Sequence, residues 1–360
     1  MSGVWGNNIK ISIFGESHGN AIGVTIDGLP SGFEIDMDKV LFEMGRRAPG
    51  KNQLSTSRKE ADLPEILSGY FEGKATGTPL CAIIRNGDTR SKDYAKTKDF
   101  MRPGHADFSG FERYSGFNDY RGGGHFSGRI TAPLVFAGAI CKQILESKGI
   151  FVGAHIASVK NIEDDKFNPV DISSKQILEI RNKEIPLIND SLEDKIKHTI
   201  MQAKYDGNSV GGTIECAVIG IKPGVGNPFF DSVESTLAHL MFSVPAVKGI
   251  EFGKGFDMTK LFGSEANDEY YYDGDVVKTT TNNNGGILGG ISNGMPILFK
   301  VAVKPTASIL KEQNTIDIKN KTNVKFRIEG RHDPCIVQRA VPVVEAVTAI
   351  GILDLIKGRD

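Results

Sequence analysis

The chain has 360 residues, 39% hydrophobic and 24% charged, a composition that excludes disordered and fibrous proteins and allows a sizeable core. Its 43 basic and 44 acidic residues nearly cancel, so it carries no chain-wide electrostatic footprint for nucleic acid or an anionic membrane. The four cysteines, Cys81, Cys141, Cys216 and Cys335, are far apart and form no CxxC pair, which argues against a metal site or a disulfide framework.

The first residues, MSGVWGNNIKISIFGESHG, contain no basic segment followed by an apolar stretch and a cleavage site. No later apolar run approaches the length needed to span a bilayer, so a cytoplasmic protein is expected. Ala21 to Ile26 is a β-branched run that predicts a strand, and Leu80 to Ile84 predicts another. Between them Asp36 can cap a helix carrying Val40, Leu41 and Met44. Pro133 to Leu145 is apolar enough to be a buried helix, with its proline in the first turn. Ser191 can cap a helix through Ile196, Ile200 and Ala203 that ends at Gly207. Thr213 to Ile221 predicts a strand, and Asp231 precedes a helix with Val233, Leu237 and Leu240 at helical spacing. Ile297 to Val303 predicts a further strand, and Pro342 to Leu355 a second buried helix entered by proline.

Gly77-Thr78-Pro79-Leu80 and Gly294-Met295-Pro296-Ile297 each precede a strand, a faint internal repeat. Hairpin-like strand pairs set apart from helices favour an α+β fold over a doubly wound parallel sheet. No linker interrupts the chain, so a single domain over residues 1–360 is expected. Neither GxGxxG nor a P-loop is present.

Four constellations can carry chemistry. Gly15-Glu16-Ser17-His18-Gly19 follows the strand-like Ile11 to Phe14 and offers a histidine for acid or base work, or merely a turn histidine. It is not GxSxG, so Ser17 is no nucleophile elbow. Arg102-Pro103-Gly104-His105-Ala106-Asp107 holds a guanidinium and an imidazole on a rigid backbone, unless it is an ordinary proline turn. Asp119 to Arg129 contains Gly122, Gly123 and Gly124 and leads toward the apolar helix at Pro133, which suits either an anion cradle or a glycine hairpin. Late in the chain, Lys304-Pro305-Thr306-Ala307-Ser308 offers a cation and two hydroxyls, and Gly330-Arg331-His332-Asp333-Pro334-Cys335 a cation and a carboxylate. The plain alternatives are a basic loop and a surface ion pair. His155, His198 and His239 lack such context and read as structural or surface residues. Together Arg102, Arg121, Arg129, Lys304 and Arg331 describe a site for something polyanionic with two imidazoles beside it.

GESHG at 15–19, RPGHAD at 102–107, RGGG at 121–124, GGILGGISNG at 285–294, KPTAS at 304–308 and GRHDPC at 330–335 resemble, in order, the signature set of chorismate synthases. The resemblance implies a β-α-β sandwich, with helices between antiparallel sheets, assembled as a homotetramer. It implies an anti-1,4-elimination of phosphate from 5-enolpyruvylshikimate 3-phosphate to give chorismate, dependent on reduced FMN without net redox change. By position, His18 corresponds to the histidine near the leaving phosphate, His105 to the one beside the reduced flavin, and Asp333 to the carboxylate near flavin N5. Arg47, Arg102, Arg129 and Arg331 correspond to ligands of the substrate anions. His125, Phe126, Ser127, Pro245, Ala246, Gly289, Lys304, Pro305, Thr306, Ala307, Ser308 and Arg331 correspond to FMN contacts. No metal is implied. NADPH or an external flavin reductase would supply the electrons, since the family contains both kinds.

Where many members read GGGRSSARETA, this chain has Gly122 to Ala132 as GGGHFSGRITA, which leaves flavin contacts at His125 and Phe126 to the backbone N–H groups. Ser127 and Arg129 are retained. Gln53 stands where a second arginine is common, and Pro245, which has no N–H to donate, where an asparagine is. Two other readings compete: a different reduced-flavin lyase on a phosphorylated carboxylic acid, and a non-catalytic flavin- or phosphate-binding regulator.

Overall fold

The computed structural model describes residues 3–50, 54, 62–87, 98–328, 330 and 332–358. The first sheet is built from β1 (Val4–Trp5), β2 (Lys10–Gly15), β3 (Ala21–Asp27), β4 (Pro64–Ser68) and β5 (Leu80–Arg85), in the order β1-β2-β3-β5-β4 with every pair antiparallel. The second holds β6 (Phe151–Val159), β7 (Ile162–Glu163), β8 (Gly212–Ile219), β9 (Val247–Phe252) and β10 (Ile297–Val303), in the order β9-β10-β8-β6-β7, again antiparallel. A hairpin of β11 (Glu312–Asp317) and β12 (Thr322–Arg327) follows. The helices are α1 (Met37–Arg47), α2 (Asp107–Arg113), α3 (Thr131–Glu146), α4 (Ser174–Arg181), α5 (Glu193–Tyr205), α6 (Val233–Ser243), the one-turn α7 (Gly263–Ala266) and α8 (Val337–Lys357).

The two sheets face a helical layer. Strand β3 turns Ile22, Val24 and Ile26 inward at alternate positions, as a strand with one face on a core must. Helix α3 rests against β3 and β5 on one side and runs along α8, which packs on β6 and β8 on the other, with α1 beside both. Every residue of α3 from Thr131 to Leu145 is buried, because a helix in the middle layer meets protein all round. The fold is the α+β sandwich of sheet, helices and sheet. No helix among the described residues is long and apolar enough to cross a membrane.

Several sequence expectations shift at element ends. Asp36 does cap α1, accepting from the Lys39 N–H at 3.1 Å. Ser191 does not cap α5: it lies in a 3-10 turn, Asp190–Leu192, whose cap is Asn189. That helix does stop at Gly207, whose φ of 61° is the left-handed value glycine tolerates. Asp231 does precede α6, and the cap of that helix is Ser232, accepting from the Ser235 N–H at 2.9 Å. Pro342 sits inside α8, five residues past its start, rather than in the first turn.

A buried charge cluster pins the helical layer. Glu345 of α8 accepts from Arg46 of α1 at 3.0 Å and from the Ala154 N–H of β6 at 3.1 Å, and it pairs with Lys142 of α3. Lys142 also reaches Glu43 at 2.9 Å, and Arg181 of α4 joins Glu146 at 2.7 Å. Burial alone would raise the Glu345 carboxyl; Arg46 and Lys142 hold it well below the usual carboxylate range instead.

The second sheet has its own buried cluster. His155 lies between Asp164 at 3.0 Å and Glu215 at 2.9 Å, and Asp164 also accepts from the Ile188 N–H at 2.7 Å and the Asn189 N–H at 3.0 Å. Burial would lower the imidazole, yet the two carboxylates raise it above its ordinary 6.5. A raised histidine contributes stability that is fully present below its unfolded value and lost as pH rises through the folded one. His155→Ala is therefore expected to lose about 3 kcal/mol or more near pH 6, where paired charges are broken, and less at pH 9. Urea unfolding at both pH values measures this; an equal loss at each would show that the ring is neutral in the fold.

Candidate active site

A cavity of about 1130 Å3 opens beside the first sheet and the starts of α3 and α8. Five of the six sequence motifs reach it, from distant parts of the chain; GGILGGISNG at 285–294 does not. His18, Arg102 with Gly104 to Ala106, Gly122 with His125 to Thr131, Pro245 and Ala246, Lys304 to Ser308, and Asp333 supply its wall. Of the expected site residues, His18, His105, Asp333, Arg47, Arg102, Arg129, His125, Phe126, Ser127, Pro245, Ala246, Lys304, Pro305, Thr306, Ala307 and Ser308 all line it. Gly289 does not: it lies in the turn joining Ile287–Leu288 to Ile291–Ser292. Arg331 and Gln53 lie outside the described residues. Arg121, counted among the cations, is turned away onto Asp119 at 2.8 Å.

The glycine loop is the partition between the two imidazoles. A Cβ on Gly122 would stand 2.1 Å from His18 Nδ1, and one on Gly123 would stand 3.0 Å from His105 Cε1. Both glycines have left-handed φ values, 60° and 83°. The triplet is thus required twice, by backbone conformation and by the closeness of a ring on each flank. Its position against β2 is fixed by the Ser17 N–H, which donates to Gly124 O at 3.1 Å, and by His125 Nδ1, which lies 2.8 Å from Gly15 O.

The departures from the familiar loop sequence have a structural account. Phe126 packs on α2, where a Cβ at Gly110 would meet its ring at 2.6 Å, and its ring centroid lies 6.2 Å from that of Tyr114. Phe126 therefore braces the helix that begins at Asp107. Ser127 accepts from the Arg129 N–H at 3.3 Å and caps the 3-10 turn Gly128–Ile130 that leads into α3.

Cations gather around the same cavity. Arg47 ends α1 and is 2% exposed; its Nε is 3.4 Å from Asp62 and its Nη1 donates to Arg129 O at 3.2 Å. Burial, opposed by Asp62 and aided by Arg339 and Arg129, pushes the Arg47 guanidinium down to about 9, still protonated at neutral pH. Arg129 pairs with the same Asp62 and donates from Nε to Asn86 at 3.0 Å. Arg339, in the first turn of α8, donates to Arg47 O at 3.0 Å and pairs with Asp333. Lys304 donates to Gly104 O at 2.5 Å, which fastens the KPTAS segment to the RPGHAD turn.

Three contributors lay beyond the sequence reading. Asp62, the shared counter-ion of Arg47 and Arg129, sits in a segment without any motif. Arg339 had a signal: a cation in the first turn of a helix opposes the dipole and so needs another reason to be there. His239, read as structural or surface, is exposed on α6 and lines the cavity as well. His155 is structural as expected.

Residues 9–356 match the family model described as chorismate synthase. The chain belongs to the chorismate synthase family. A chorismate synthase of Christiangramia forsetii is 46% identical over 350 residues, covering 97% of this chain and 96% of that protein. One of Methanocaldococcus jannaschii is 45% identical over 369 residues, covering 99% and 97%. Among solved structures, a crystal structure of chorismate synthase superimposes with a TM-score of 0.76 at 27% identity, covering 99% of this chain and 93% of the other. The likeness spans both sheets and the helical layer between them.

Proposed function

We propose that this protein converts 5-enolpyruvylshikimate 3-phosphate to chorismate by anti-1,4-elimination of phosphate, the last common step of the shikimate pathway to aromatic amino acids. The supporting observation is the convergence of His18, His105, Asp333 and the cations Arg47, Arg102, Arg129 and Lys304 on one cavity of about 1130 Å3. That volume exceeds the roughly 300–1,000 Å3 of a single-ligand pocket, as a site for two ligands requires. The substrate brings two carboxylates and a phosphate, and FMN a further phosphate, which accounts for so many cations in a nearly neutral chain.

When bound, reduced FMN would supply electron density for breaking the C–O bond, without net redox change. In this reading Arg47, Arg102 and Arg129, with Arg331, hold the substrate anions. His18 gives a proton to the departing phosphate, and Asp333 takes the proton from C6. His105 protonates or stabilises the reduced cofactor. The backbone of His125, Phe126 and Ser127, the stretch Lys304 to Ser308, Pro245, Ala246 and Arg331 hold FMN. The glycine partition, too tight for any side chain, suits the approach of a flat ring and a phosphate. The enzyme is a carbon-oxygen lyase of the cytoplasm that works as one domain within a homotetramer. The exposed Phe229, Phe230, Phe256 and Phe262 suit burial between subunits. NADPH or an external flavin reductase reduces the flavin.

An anaerobic assay with reduced FMN and the substrate, with and without NADPH as sole reductant, tests the reaction and the source of electrons. Absence of chorismate and phosphate with reduced FMN present would refute the reading. If both ligands share the cavity, saturating substrate is expected to tighten FMN binding, and FMN to tighten substrate binding by the same factor. Titrations that give one FMN affinity with and without substrate would rule out a shared site.

A further inference from the structure

We propose that Asp107 is the positioning residue of this site: one carboxylate fixes both the tautomer of His105 and the direction of Arg102. The inference rests on the roles given above to His105 and Arg102. Asp107 Oδ2 accepts from the Arg102 backbone N–H at 3.0 Å and from its Nε at 2.6 Å. Asp107 Oδ1 accepts from Arg102 Nη2 at 2.7 Å and from His105 Nδ1 at 2.7 Å. Four donors occupy the four acceptor positions of a carboxylate, so no lone pair remains to take a proton from a substrate. Burial would raise the Asp107 carboxyl, but Arg102 and His105 hold it well below its usual range, and it stays an anion.

The consequence concerns the other ring nitrogen. With Nδ1–H committed to Asp107, the neutral imidazole has an unprotonated Nε2, and proton exchange belongs to that atom. His105 Nε2 stands on the glycine side, 3.1 Å from where a Cβ on Gly123 would be. Arg102 Nη2 also lies 3.2 Å from His105 Nδ1. A guanidinium only donates, so that contact is a hydrogen bond in the Nε2–H tautomer alone, whereas the shorter 2.7 Å contact with the Asp107 anion calls for Nδ1–H. Arg102 Nη1 reaches Ser308 Oγ at 3.4 Å. Lys304 braces the turn through Gly104 O. One anion therefore carries the geometry of an imidazole, a guanidinium and the segment behind them.

Asp107→Asn tests this. The amide keeps one oxygen, which the backbone N–H and Nε of Arg102 claim at the Oδ2 position, and its NH2 then faces His105 and Arg102 Nη2 at the Oδ1 position. Nδ1 must accept, and the proton moves to Nε2, the wrong tautomer for a catalytic imidazole. In 15N-imidazole spectra of the full chain without added ligands, His105 is expected as the Nδ1–H tautomer in the wild type and the Nε2–H tautomer in Asp107→Asn. Turnover is expected to fall on the order of 10³-fold with KM changed much less. An Nε2–H tautomer in the wild type, an unchanged tautomer in the variant, or wild-type kcat would each overturn the proposal. Should the variant fail to fold, the wild-type tautomer alone decides. If the wild type releases no phosphate from the substrate, the proposed reaction fails while the tautomer measurement still stands.

Discussion

Alanine at Gly122 is expected to reduce turnover on the order of 10²- to 10³-fold, the range associated with losing a positioned proton donor. The added Cβ would fall 2.1 Å from His18 Nδ1 and 2.2 Å from its Cε1. The loop cannot retreat easily, since Gly124 O is held by Ser17 and a Cβ at Gly124 would itself meet Asp119 O at 2.0 Å. The ring must swing instead. A left-handed φ adds about 1–2 kcal/mol of backbone strain. Gly263→Ala is the matching control, because a Cβ there meets nothing within 4 Å. Anaerobic steady-state assays compare the two. If Gly122→Ala turned over as fast as Gly263→Ala, His18 would not be working from the position described.

Glu345→Ala is expected to lower stability by about 3–5 kcal/mol, the range for removing one partner of a buried ion pair. Arg46, Lys142 and Arg181 would be left facing only Glu43 and Glu146, in a layer where Glu345 itself has no solvent exposure. A depressed carboxyl contributes stability that is present above its unfolded value, here the ordinary 4.5, and lost as pH falls through the folded value. The gap between wild type and variant should therefore be widest near neutrality and narrow on acidification below about pH 4. Guanidinium unfolding curves at pH 7 and at about pH 2.5, inside that window, measure both statements. Equal midpoints at pH 7 would mean that the cluster is neutral in net effect.

What could be read from the chain followed the length scale of the interaction. Strands β3 and β10 and helices α3 and α8 announce themselves because burial writes a local pattern, alternating in one case and continuous in the other. Caps were readable in part: Asp36 does cap α1, whereas the turn before α5 is capped by Asn189 and not by Ser191, a choice only the backbone makes. Pro342 misled because a proline usually marks a first turn, whereas here the packing of α8 tolerates a missing N–H within the helix. The same division runs through the site. His18, His105 and Asp333 were visible in short motifs. Asp62 was not, since its bond to Arg129 spans 67 positions and neither segment hints at the other. Asp107 lies within a visible motif, and a carboxylate two residues beyond a histidine can reach its Nδ1, but the sequence does not show which donors it meets.

The first and last parts of the chain are tied in a way that bears on how the protein is born. Asp354, in the final turns of α8, accepts from the backbone N–H groups of Asn7 at 3.0 Å, Asn8 at 2.6 Å and Ile9 at 2.7 Å, at the entry to β2. Those amides have no such acceptor while the nascent chain is still emerging from the ribosome. They gain this acceptor only once a residue about 345 positions further along the chain has been made and α8 lies between the two sheets. Contacts of such sequence separation make folding slow and leave sheet faces uncovered meanwhile. A chain stopped before residue 354 would be a substrate for chaperones and proteases rather than a shortened enzyme.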